Sequence, residues 1–172
     1  MGGAAHLVRR FAGSLWPFGP PAGDDAWARS HLVAGEADLW GRMSRADRRH
    51  AVGVARRAAA ALGDRADRPV VAAALLHDVG KVEAGLGTYG RVVATLAAMV
   101  AGRETAGMWS EGRGFTRRVG LYLRHPDIGA DLLALAGSDP VTVAWAREHH
   151  LPADRWSLPA DVAAALHAAD DD

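Results

Sequence analysis

Apolar and polar positions recur with a helical period along almost the whole chain, and no segment shows the sustained two-residue alternation of a half-buried strand. Residues 25–42, with Trp27, Leu32, Val33, Leu39 and Trp40, read as a first helix. Ser44 supplies an N-cap for a second, Asp47 favours its exposed first turn, and Gly63 stops it after Leu62. Asp67 and Pro69 mark the next start, and residues 70–78 are almost wholly apolar, the pattern of a buried helix. Gly80, Gly85, Gly87 and Gly90 punctuate the chain before helical periodicity resumes over 91–101, and a Gly-rich loop carrying Met108 and Trp109 follows. Residues 115–124 and 126–136 read as two helices, because the residue before Pro126 is biased away from helical backbone. Asp139 and Pro140 open a helix running to His150, and Pro159 opens the last, which ends near Asp170. The expectation is an all-α domain of seven or eight helices over 25–172, with 1–24 as a flexible N-terminal arm and 85–114 as an insertion.

Composition narrows the function. The 172 residues are 49% hydrophobic, enough for one core, and 20 Lys+Arg balance 20 Asp+Glu. A neutral chain lacks the basic excess that gripping nucleic acid or an anionic membrane requires, so stable nucleic-acid binding is not expected. The absence of cysteine excludes disulfides, zinc–thiolate fingers and a thiol nucleophile, and fits a cytoplasmic setting. Arg9 and Arg10 precede an apolar stretch that superficially resembles a signal peptide, but Pro17, Pro20 and Pro21 cut it short. The longest apolar run, 92–101, is about half of a membrane span. It is instead a candidate face for a homodimer or a docking partner.

Eight histidines are the feature that points to chemistry. His77 and Asp78 end the apolar 70–78 segment, and burying imidazole beside carboxylate is costly unless something pairs with both. A divalent ion (Mn, Fe, Co, Ni or Zn) is a natural partner for that donor pair. Lys81 follows one turn later, an ammonium suited to an anionic substrate such as phosphate. His50 shares a helix face with Val54, Ala58 and Ala61, and Asp170 shares one with Ala163 and Leu166, so both are inward candidates. His125 stands just before a helix-opening proline. His149 lies on a face with Thr142 and Trp145, His150 on one with Val143 and Ala146, and either can turn inward. His167 reads as peripheral or surface, while His6 and His31 have no evident partners.

The set resembles the HD superfamily of metal-dependent phosphohydrolases, whose H…HD…D pattern sits on an all-helical core. His77-Asp78-Val79-Gly80-Lys81 matches the HD-x-G-K form, His125-Pro126-Asp127-Ile128-Gly129-Ala130 is similar to an H-P-x-I-G-A segment, and His149-His150 resembles the paired histidines of binuclear members. The resemblance runs over residues 36–170. It implies that His50, His77, Asp78 and Asp170 hold one divalent ion and that His125 and His149 help hold a second, with Asp78 bridging. It further implies metal-activated water attack on a small phosphorylated substrate, a nucleotide or other phosphoester. In that scheme Asp78 and Lys81 are catalytic, and Lys81 and Arg124 bind the substrate. The Gly-Tyr-Pro motif of relatives that cleave cyclic dinucleotides is missing, Leu151–Trp156 standing in its place. The competing reading is a metal-binding helical signalling or docking module with little turnover.

Overall fold

Ser44, Asp67 and Asp139 each accept a hydrogen bond from a backbone N–H of the helix they precede, at 3.1, 3.1 and 2.9 Å, and so fix where three of the helices begin. The computed structural model describes residues 19–101 and 108–171, without the side chains of 88, 89 and 98–101; the expected arm therefore lies outside the described residues over 1–18. Helices α1 (Ala22–Ser30) and α2 (Ala34–Arg42) lead into α3 (Arg45–Leu62), α4 (Arg68–Leu76) and the short α5 (Lys81–Ala84). Then come α6 (Thr88–Ala101), α7 (Gly114–Leu123), α8 (His125–Leu135), α9 (Pro140–Glu148) and α10 (Ala160–Asp171). Every regular element among the described residues is helical, as the periodicity requires, and no helix among them is long and apolar enough to cross a membrane.

The first expected helix is broken. The Glu36 carboxylate, wholly buried, accepts the Val33 N–H at 2.9 Å and so starts a new helix, while the Trp40 indole reaches back to Asp25 at 2.9 Å and folds α2 against α1. The loop expected around Met108 and Trp109 contains a 3-10 turn, Met108–Glu111, packed on α7 at Gly120, where a β-carbon would stand 2.0 Å from the Ser110 nitrogen.

The core gathers around α4, whose seven residues Val70–Leu76 are all buried, as continuous apolar sequence demands of a helix surrounded on every side. Helices α3 and α9 pack on it, α10 packs on α3, and α8 on α9. Thr142 on α9 is buried and donates its hydroxyl to the Pro69 carbonyl at 3.1 Å, pinning α9 across α4. A smaller cluster, with Leu86, Ala94, Val119 and Leu123, joins α6 to α7. The two clusters leave helix ends meeting at one place: the middle of α3, the ends of α4, α9 and α10, and the start of α8.

Candidate metal centre

Helix α4 ends at Leu76, and His77 and Asp78 occupy the tight turn before α5, both essentially buried. Gly80 completes that turn beside the first residue of α8. A β-carbon on Gly80 would lie 2.1 Å from the His125 carbonyl oxygen and 2.6 Å from the Gly129 nitrogen. The glycines of the two motifs are therefore one contact, and hydrogen in place of a side chain is what allows His125 to reach the 77–78 turn.

Three buried histidines are oriented in the same way. His77, His125 and His149 point Nδ1 at the carbonyl three residues before them (Ala74, Tyr122 and Ala146) at 2.9, 2.7 and 2.9 Å. A carbonyl only accepts, so Nδ1 donates and carries the proton, which leaves Nε2 to face inward. All three Nε2 atoms are buried without a hydrogen-bond partner. Around them stand two carboxylates. Asp78 Oδ1 is 3.2 Å from His125 Nε2 and 3.8 Å from His149 Nε2. Asp78 Oδ2 and Asp170 Oδ1 are each 3.5 Å from His77 Nε2, and His50 Nε2 is 2.8 Å from Asp170 Oδ1. Lys81 Nζ bonds Asp78 Oδ2 directly.

These separations fit a cation. Two ligand atoms about 2.1 Å from one ion stand roughly 3.0–3.4 Å apart, close to the 3.2 and 3.5 Å spacings of His125 and His77 from the carboxylates, while His50 and Asp170 at 2.8 Å are hydrogen-bonded. Two groups could hold an ion: His50, His77 and Asp78 in one, and His125, His149 and His150 in the other, with the ligand atoms of each within 4.8 Å of one another. Asp170 adjoins the first, and Asp78 faces both. Imidazole nitrogen with carboxylate oxygen suits the divalent first-row metals.

In the metal-free protein the two groups differ in charge. Burial opposes charge on His77, but Asp78 and Asp170 outweigh it and raise its pKa to about 10. Burial pushes the Asp78 carboxyl up, yet Lys81 and His77 hold it well below the ordinary carboxylate range; burial likewise acts against Asp170, which His77 and His50 keep ionised. His125 and His149 are pushed down, chiefly by burial and, for His149, by the neighbouring His150 and His77. Both are neutral imidazoles, the form that ligates a metal.

The structure thus brings together His50, His77, Asp78, His125, His149 and Asp170. It also adds to the set expected from sequence. His150 is exposed, but its ring lies 4.1 Å from that of His149 and 5.2 Å from that of His125. Helix α9 ends at Glu148, so both of the paired histidines occupy a terminal turn and both belong to the second group that could hold an ion, His149 buried and His150 exposed. Asp47, read only as a first-turn acid, makes a two-pronged ion pair with Arg91 of α6 at 2.5 and 2.8 Å, one turn before His50. Tyr122 stands beside the centre, its ring 5.7 Å from Lys81 Nζ and 5.8 Å from the His125 ring. Arg124 is exposed on the rim, its guanidinium bonded to the Ser110 hydroxyl at 3.3 Å. His167 is partly exposed, near Asp171 and the Trp156 ring, and His31 is bonded to the Trp27 carbonyl; His6 lies outside the described residues. Comparison with known protein families, curated proteins and solved structures finds no match.

Proposed function

We propose that the protein is a metal-dependent phosphohydrolase acting on a nucleotide or other small phosphoester. The observation that carries this reading is the convergence of the buried His125 and His149 Nε2 atoms, which have no hydrogen-bond partner, with His50 and His77 around the carboxylates of Asp78 and Asp170, a donor set that a divalent cation would complete. The HD-x-G-K and H-P-x-I-G-A resemblances and the buried Lys81 support the hydrolytic assignment over simple metal storage.

In this reading His50, His77, Asp78 and Asp170 would hold one divalent ion, and His125 and His149, with His150 on the rim, would hold a second. When bound, such ions polarise a phosphoryl oxygen and acidify water, the chemistry that phosphoester hydrolysis needs. Asp78, kept ionised by Lys81 and His77, orients the attacking water through its carboxylate and cannot act as an acid near neutral pH. Lys81 places a positive charge at the inner edge of the site, where it offsets charge developing on phosphoryl oxygens. Arg124 offers a guanidinium for the outer part of an anionic substrate. The Nδ1–carbonyl bonds hold the imidazoles in the ligating tautomer.

The test is metal analysis of the reconstituted protein, followed by phosphate-release assays with Mn, Co and Ni across mono-, di- and cyclic nucleotides. Metal-dependent turnover that a chelator abolishes is the expected result. A tight metal complex inert toward the whole panel overturns the enzyme in favour of a docking module. That second reading has one observation of its own: Val92, Val93 and Leu96 of α6 are 39, 47 and 56% exposed, an apolar face open to a partner.

A further inference from the structure

Arg57 lies on α3 seven residues after His50, two helical turns along the same face. Its guanidinium donates from Nε and Nη2 to a single acceptor, the Ala169 carbonyl oxygen, at 3.0 and 2.8 Å. Ala169 precedes Asp170 and lies in the last turn of α10, where carbonyls have no partner within the helix and the dipole attracts positive charge. Gly53 stands between His50 and Arg57 on α3, and a β-carbon there would come within 3.2 Å of Arg57 Nη1. The absence of a side chain at 53 leaves a channel in which the guanidinium rests.

We propose that Arg57 is a positioning residue for the first metal site: by clamping the Ala169 carbonyl to α3, it fixes where Asp170 presents its carboxylate to His50 and His77. The geometry makes α3 supply both a ligand and the strap that holds another ligand's backbone. Side-chain packing alone sets α10 loosely at this end, since Asp170 and Asp171 follow its last buried apolar residue, Ala169. A carboxylate on an unclamped last turn would sample positions away from Nε2 of His50, now 2.8 Å distant. The inference rests on the metal reading above, and it predicts an effect confined to one of the two ions.

The experiment titrates Mn(II) and Co(II) into the wild type, Arg57→Met and Arg57→Lys by calorimetry, with the Co(II) visible spectrum and the melting temperature of the metal-free proteins as parallel readouts. Arg57→Met is expected to weaken binding at the His50–His77–Asp170 site by about ten- to a hundredfold and to alter its Co(II) spectrum. Binding at the His125–His149 site stays unchanged, and Arg57→Lys recovers part of the loss. Gly53→Ala, which crowds the guanidinium without removing it, gives a smaller loss in the same site and covers the case in which Arg57→Met fails to fold. Unchanged affinity in the substituted proteins, or equal weakening of both ions, overturns the positioning role. Failure of the wild type to bind either metal overturns the metal reading itself, a result distinguishable from both.

Discussion

Gly80 and His125 are in backbone contact: a single added carbon on Gly80 would stand 2.1 Å from the His125 carbonyl oxygen. That closeness puts the start of α8 against the turn carrying His77 and Asp78, and it couples packing to ligand geometry. Gly80→Ala forces backbone away from backbone, because neither partner is a flexible side-chain end. The expected outcome is a stability loss of about 1–3 kcal/mol in urea unfolding, together with weakened metal binding at the His125 group that could hold an ion. A variant with full metal content would mean that the contact does not govern the site.

His77 makes the metal-free protein sensitive to pH. Asp78 and Asp170 overcome burial and raise its pKa from 6.5 to about 10, so the folded chain holds this proton more tightly than the unfolded chain. The stabilisation is complete below pH 6.5 and disappears as pH climbs through about 10. Urea midpoints of the metal-free protein should fall across that interval, and His77→Gln should flatten the fall. A wild-type profile as flat as that of the variant would contradict the assignment.

Metal binding runs the other way. An ion must displace the His77 proton, so apparent affinity rises with pH over the same interval, and binding at neutral pH releases about one proton from this residue. Calorimetry in two buffers of different ionisation enthalpy counts that proton directly. Binding with no proton uptake by the buffer would exclude His77 as a ligand.

His149 separates ligation from folding. Its Nε2 has no hydrogen-bond partner in the protein, so His149→Leu, which roughly keeps the buried volume but removes the Nδ1–H donor from the Ala146 carbonyl, should lower metal-free stability by only about 1–3 kcal/mol. The metal bound per chain, read by elemental analysis, should nevertheless fall by one ion. Unchanged stoichiometry would leave His150 as the ligand of the pair.

Lys81 tests the hydrolase. Lys81→Met retains every metal ligand but removes the ammonium beside Asp78, and kcat toward the best phosphoester should drop by about a hundredfold with metal content preserved. Activity within a factor of two of wild type would remove Lys81 from the catalytic account.

Much of this architecture could be read one residue at a time. Helical periodicity, the caps at Ser44, Asp67 and Asp139, and the buried apolar run ending at His77 depend on interactions within a few residues, so spacing alone exposes them. His50, His77, Asp78 and Asp170 were legible for a related reason, as polar groups on or at the end of otherwise apolar faces, whereas His125 and His149 were singled out by the resemblance of their segments to the HD superfamily. Spacing carried no information about the break between α1 and α2, which comes from Glu36 starting a helix at Val33 and Trp40 reaching Asp25. Nor did it indicate that Gly80 meets His125, that Asp47 grips Arg91, or that Arg57 clamps Ala169. Each of those pairs is separated by more than 40 residues in the chain, and its energy exists only once α4 has buried itself and the other helices have closed around it. Local chemistry names the candidate ligands; long-range packing decides that their lone pairs meet.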